Sequence, residues 1–354
     1  MRLRGLFPVV ALMVSAGCAQ PPESSPRQVH VEPAVEVAPV PVVVSVDGLE
    51  QYAIGDWGKR SGVAPRAGTL LMGGGDWVPS AMRWFVEHAG GGRILILRAS
   101  GDDNLQRQLY EDIGGITAAR TLVFSSRSAA FDDGVAEAIT QADGIFLAGG
   151  DQARYIRFWK DTPVQHLLNA HIQSGKPIAG TSAGLAVLGG WAYGALDDGS
   201  IDSPSAMADP LGEAITLERG FLSVPFLGNV VTDTHFAQRD RQGRLLAFVS
   251  KARSLSGQSS IYGLGVDEDA ALALEGDGKA RLHRLDPAHL AWVIAPDRRA
   301  GEPVPGEQLQ QRDVQIIGIN ARSELDLATL QVRRPAFRFN AHVDKGQWQI
   351  EALQ

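Results

Sequence analysis

Pro177-Ile178-Ala179-Gly180-Thr181-Ser182-Ala183-Gly184-Leu185 places a short apolar strand, a serine between two glycines and the opening of a helix in direct succession. Outward from it, the same order of apolar run, glycine-rich turn and amphipathic stretch recurs. Thr69 to Met72 runs into Gly73-Gly74-Gly75-Asp76 and then into Ser80 to His88, where Met82, Phe85 and Val86 fall at helical spacing. Ile94 to Leu97, inside Arg93 to Arg98, is apolar at every position, as a strand is when both faces of a parallel sheet are covered. The pattern predicts helix over 104–113, 132–141 and 155–173, and strand over 120–124 and 144–148, the latter leading into Gly149-Gly150-Asp151. Such alternation predicts an α/β fold with a doubly wound, mostly parallel sheet and right-handed crossovers. Ligands of these sheets bind beyond the carboxyl ends of the strands. Three glycine-rich turns, 73–75, 149–150 and 180–184, fall there.

Between Trp191 and Gly220 the pattern loosens into Gly, Asp, Ser and Pro, which predicts a long surface loop or lid. Asn229 to Thr232 and Ile261 to Val266 read as two further strands, separated by a helix over Arg244 to Ala252. Beyond Pro296 the runs 314–319, 330–332 and 337–342 read as strands without intervening helices. A core domain over 67–296 is thus expected to carry a small β-rich C-terminal extension over 297–354.

The chain has 354 residues, 44% hydrophobic and 21% charged, a composition that folds as a globule. Its 33 basic and 40 acidic residues leave a net charge of −7 with no basic run, which argues against a nucleic-acid surface. Cys18 is the one cysteine, so intramolecular disulfides, cysteine zinc sites and iron–sulfur clusters are excluded together. Arg2 and Arg4, the apolar run Leu6 to Val14 and Ser15-Ala16-Gly17 before Cys18 have the shape of an export signal over 1–18, too short to span a membrane. The small residues before Cys18 resemble a bacterial lipobox, with Ser15 where a leucine is usual. Lipidation of Cys18 would place the protein in the periplasm or outer membrane, with contact to the membrane only through that anchor; cleavage nearby and secretion is the alternative. Prolines 21, 22, 26, 33, 39 and 41 predict an extended tether, with a lead-in through 66.

Gly180 to Gly184 fits Gly-x-Ser-x-Gly, in which a serine on a tight strand-to-helix turn exposes its hydroxyl and the following helix offers backbone N–H groups to a developing oxyanion. A serine needs a base. Among eight histidines, His235 follows a predicted strand within Thr232-Asp233-Thr234-His235-Phe236, and so stands at a carboxyl end like Ser182. With no second histidine near, a metal site built on Asp233 and His235 is not expected. Asp267-Glu268-Asp269 put three carboxylates past the strand ending at Val266, any one of which could orient the base. Gly73-Gly74-Gly75 does not complete a dinucleotide fingerprint, because Val78 stands at the third glycine position.

In order along the chain, Gly73 to Asp76, Gly149-Gly150-Asp151-Gln152, Gly180 to Gly184, Asp233 to Leu245 and Gly265 to Asp269 resemble the cyanophycinase-like serine peptidases. That family is related to the aspartyl dipeptidases and shares the flavodoxin-like three-layer core of class I glutamine amidotransferases. The likeness spans about residues 67 to 285. It implies Ser182 as nucleophile, His235 as base, Glu268 as the orienting acid, and the N–H groups of Gly150 and Ala183 as oxyanion donors. It also implies Gln152, Asp233, Arg239 and Arg241 near the substrate, a peptide or isopeptide with an aspartyl residue at the cleaved bond, no cofactor and no metal, and it allows a homodimer. Family members include enzymes that cut the β-aspartyl-arginine bonds of cyanophycin. The absence of a cysteine at the elbow removes the amidotransferase reading. Two alternatives stay open: an esterase with the order Ser182, Asp267 or Glu268, then His283 or His289, and a lipoprotein binding module that keeps the fold without catalysis.

Overall fold

The computed structural model describes residues 48–101, 105–197, 199–299 and 301–350. The signal-like start, Cys18 and the proline-rich stretch through 47 lie outside the described residues. Among those described, no helix is long and apolar enough to cross a membrane.

The first half alternates strand and helix. Strands β1 (Leu49–Gly55), β2 (Gly68–Met72), β3 (Arg93–Arg98), β4 (Ala118–Phe124), β5 (Gly144–Leu147) and β6 (Ile178–Thr181) are interleaved with helices α1 (Pro79–His88), α2 (Leu105–Arg107), α3 (Asp133–Gln141), α4 (Gln152–Trp159), α5 (Pro163–Gln173) and α6 (Ala183–Ala186). β4, β3, β5, β6 and β2 lie side by side in that order, all parallel. Ile94 and Ile96 of β3 pack with Met82 and Phe85 of α1, while Leu95 and Leu97 pack with Val135 and Ile139 of α3 and Leu168 of α5. Helices therefore cover both faces of the parallel core, which is why β3 is apolar at successive positions.

The second half builds a second sheet. It contains β7 (Trp191–Tyr193), β8 (Leu217–Arg219), β9 (Val230–Asp233) and β10 (Tyr262–Val266), with α7 (Ser203–Ala208) and α8 (Gln242–Ser256) between them. β7, β9 and β10 are parallel. The chain then crosses back: the turn 267–269 leads from β10 into β11 (Ala270–Glu275), which pairs antiparallel with β2, and β12 (Lys279–Arg284) extends that first sheet. β13 (Ala291–Pro296), β14 (Gln311–Ile319), β17 (Phe337–Asp344) and β18 (Gln347–Ile350) continue the second sheet, and β15 (Glu324–Asp326) and β16 (Gln331–Arg333) the first. Leu272 and Leu274 share a core with Leu264, Val266, Val293 and Ile317, so the two sheets pack against each other there.

Several expectations change. In place of one sheet there are two, because β9 and β10 pair with β7 and β13 and only the turn after β10 returns the chain to β2. The helix expected over 155–173 is two helices: Pro163, which lacks an N–H and cannot sit in a helix interior, starts α5, and Asp161 has a φ of 56°. Segment 191–220 holds β7, α7 and β8, with Trp191, Tyr193, Ala206 and Met207 buried, so it is largely framework. The lead-in before 66 contributes β1, which pairs antiparallel with β4 at the sheet edge. Strands from 311 onward join both existing sheets.

Candidate active site

Five strands of the two sheets end at one place. β2, β5 and β6 of the first sheet and β9 and β10 of the second deliver Gly73–Asp76, Gly149–Gln152, Ser182, Thr234–His235 and Asp267–Asp269. Three successive carbonyls at the end of β2 collect them: Met72 O accepts from Ser182 N–H at 3.1 Å, Gly73 O from His235 N–H at 2.8 Å, and Gly74 O from Asp269 N–H at 2.9 Å. A Cβ on Gly74 would stand 2.3 Å from the His235 ring, and one on Gly73 1.9 Å from Asp267 O, so this turn has room only for glycine. The sequence placed this turn at the ligand end of its strand, but its collecting role lay hidden because it acts through carbonyl groups.

Ser182 sits between β6 and α6 with a φ of 51° and a ψ of −116°, a conformation a non-glycine residue holds only under constraint. The constraint is the tight turn itself. A Cβ on Gly180 would lie 2.5 Å from Gly184 O, and one on Gly184 2.1 Å from Leu147 O. The Ser182 hydroxyl donates to His235 Nε2 at 2.7 Å, and His235 Nδ1–H donates to Glu268 Oε1 at 2.5 Å. This tautomer follows from the partners, since the carboxylate can only accept. Burial pushes the imidazole pKa below its ordinary value; the bond to Glu268 pulls it up, and the Arg239 and Arg241 guanidiniums push it down again.

The three neighbouring acids divide their tasks. Glu268 takes His235. Asp267, 1% exposed, accepts from the N–H groups of Ala237 and Leu290 and from the Trp292 indole. Asp269 accepts from Asp76 N–H at 2.7 Å. Of the histidines in the alternative order, His283 pairs with Ser80 Oγ at 3.0 Å, and neither His283 nor His289 lines the cavity beside Ser182.

That cavity, about 430 Å³, is lined by Gly150, Gln152, Ser182, Ala183, Asp233, His235, Arg239 and Arg241 among others, so every residue expected at the site, apart from Glu268 behind the imidazole, faces it. Gly150 has a φ of 141° and approaches Ser100 so closely that a Cβ would lie 2.2 Å from its Oγ. Asp233 is not available to a ligand: Arg244 grips its carboxylate with bonds of 2.7 and 2.5 Å, and Thr234 N–H adds a third at 2.8 Å. Arg244 is a framework residue, buried against the Tyr193 and Phe248 rings. Arg241 donates through Nη1 to Thr234 O and Oγ1; among the described residues its Nη2 and Nε have no hydrogen-bond partner. Burial brings its pKa to about 10, so it stays cationic at neutral pH. Arg241 Nη1 also lies 3.6 Å from Asp233 Oδ1 and Arg239 Nε 4.0 Å from Glu268 Oε1; since two arginines share Asp233 and Asp151 caps α4 beside Arg154, the cavity wall around Arg239 and Arg241 keeps a net positive charge. Among the described residues no three His, Cys, Asp or Glu side chains gather as a metal-binding group.

The profile of peptidase family S51 matches residues 107–282, a span holding Ser182, His235, Glu268 and all of the cavity residues named. The chain belongs to peptidase family S51. Within this S51 chain, 210 residues are 28% identical to the cyanophycinase of Trichormus variabilis, covering 57% of the chain and 64% of that protein. The cyanophycinase of Synechococcus elongatus is 30% identical over 205 residues, 56% of the chain and 58% of that protein. The S51 chain thus matches less than two thirds of the length of these curated relatives. A crystal structure of a peptidase from an acI-B1 Actinobacterium aligns over 79% of this chain and 98% of that one, at 16% identity and a TM-score of 0.47.

Proposed function

We propose that this S51 chain is an exported serine peptidase that hydrolyses peptide or isopeptide bonds at an aspartyl residue through an acyl-enzyme. The observation that carries the proposal is the unbroken relay from Ser182 Oγ to His235 to Glu268 at 2.7 and 2.5 Å, opening onto a cationic cavity. His235, neutral, takes the Ser182 proton as Oγ attacks the amide carbonyl, and Glu268 steadies the imidazolium that forms. The N–H groups of Ala183 and Gly150, which both border the cavity beside Ser182, hold the tetrahedral oxyanion. The imidazolium then returns its proton to the leaving amine, and water releases the acyl group by the same relay. Arg241 and Arg239 offer charge-assisted hydrogen bonds to an aspartyl carboxylate, which supports an acidic substrate.

The likeness to cyanophycinases makes β-aspartyl-arginine bonds the first substrate to try. Incubation with cyanophycin and with α- and β-aspartyl dipeptides, with products read by mass, tests it. Ser182→Ala is expected to abolish turnover and leave the fold intact; retained turnover would sink the assignment of the nucleophile. The export signal and Cys18 anchor belong to the same proposal, and radiolabelled palmitate incorporation that is lost in Cys18→Ser tests the anchor.

A further inference from the structure

We propose that Asp267 is a positioning residue: a buried carboxylate that touches neither Ser182 nor the His235 ring and holds the His235 backbone in its attacking geometry. This rests on the reading of Ser182, His235 and Glu268 given above. His235 has a φ of 46°, in the left-handed region, which a non-glycine residue holds only under constraint. Left alone, the loop would relax and carry the imidazole away. Three bonds prevent this, from His235 N–H to Gly73 O at 2.8 Å, from Phe236 N–H to Val266 O at 3.2 Å, and from Ala237 N–H to Asp267 Oδ1 at 2.9 Å. The last ends on a charge and is the strongest in kind.

The carboxylate is itself fixed. Oδ1 also accepts from Trp292 Nε1–H at 2.9 Å, and Oδ2 accepts from Leu290 N–H at 2.8 Å. Trp292 lies on β13, with its ring centroid 5.8 Å from that of Phe236. One turn therefore holds the base twice, Glu268 by its ring and Asp267 through the Ala237 N–H two residues along its loop. An amide cannot replace this carboxylate. Three N–H donors converge on two oxygens, and an asparagine, whichever way it is turned, points its NH₂ at one of those donors.

The test is acylation of Ser182 by a fluorophosphonate, in which Oγ bonds to phosphorus, fluoride leaves and His235 takes the proton. The rate constant and the final labelled fraction are read separately for the full chain, Asp267→Asn and Trp292→Phe. Asp267→Asn is expected to reach the wild-type fraction about tenfold more slowly, since small misplacements of a catalytic group cost that much. Trp292→Phe, which keeps the carboxylate and both backbone donors, is expected to slow two- to threefold, roughly in proportion to the bond removed. A reduced fraction at an unchanged rate constant would mean a purely structural role and overturns the proposal. If Asp267→Asn does not fold, the rate of Trp292→Phe decides: slowing supports the proposal and a wild-type rate overturns it. Failure of the wild type to label at Ser182 strikes the relay reading instead, so the two failures are distinguishable.

Discussion

His235 works as a base because its surroundings disfavour the imidazolium: burial does most, and Arg239 and Arg241 add to it against the pull of Glu268. Catalysis needs the neutral ring, so the rate falls as pH drops through its folded pKa. The acidic limb of the rate profile is therefore expected below about pH 6.5, the ordinary imidazole value. Arg239→Gln removes a cation that opposes protonation and is expected to move that limb to higher pH. Fluorophosphonate acylation measures this without a substrate carboxylate that Arg239 would otherwise bind; an unmoved limb would leave the depression to burial and Arg241. At this scale the sequence carried Ser182 and His235 through their places after strands. Spacing alone could not sort Asp267, Glu268 and Asp269, and Glu268 came only from the family resemblance, because adjacent side chains of a turn leave in directions set by local dihedrals, here a φ of 54° at Asp269 and an indole on β13 that claims Asp267.

Among the elements, the joint between β9 and α8 bears the most concentrated charge. Asp233 closes β9 and Arg244 lies in the first turn of α8, and the two pair at 3% side-chain exposure each. Arg241 Nη1, 3.6 Å from the same carboxylate, keeps part of its charge balanced, so Arg244→Met is expected to cost about 3 kcal/mol in urea unfolding, the low end for a broken buried pair, and Asp233→Asn combined with Arg244→Met less than the two single losses added. A double loss equal to the sum of the Asp233→Asn and Arg244→Met losses would mean that the pair contributes no coupling. Helix and strand identity was legible where one periodicity ran uninterrupted, as in β3 and α1. The break between α4 and α5 was not, since apolar spacing continues across Asp161 and only Pro163 marks it. Nor does any strand's own pattern say which sheet it joins: β9 and β10 are apolar in either, and their partners are fixed by β7 and β13.

Across the whole molecule, stability should depend on acid through a residue far from catalysis. His171 is 5% exposed, donates from Nε2 to Pro177 O, and has no partner for Nδ1 among the described residues. Burial lowers its pKa to about 4, so the unfolded chain takes up a proton near pH 6.5 that the native state refuses until about 4. Its contribution is full above pH 6.5 and is lost as pH falls to 4, by about 3 kcal/mol in all. Urea midpoints at pH 7 and 4.5 measure this, and His171→Gln, which keeps a donor, is expected to flatten the difference. The carbonyls of Met72, Gly73 and Gly74 have a consequence in time as well as in space. They gather amides from positions 182, 235 and 269, and such distant partners close late because their loops are costly to close. A refolding chain should regain helical circular dichroism first and fluorophosphonate reactivity afterwards, once β2 is seated between β6 and β11. A chain caught half-made would then be unable to cut its neighbours, with chemistry withheld until the last long-range contacts are in place.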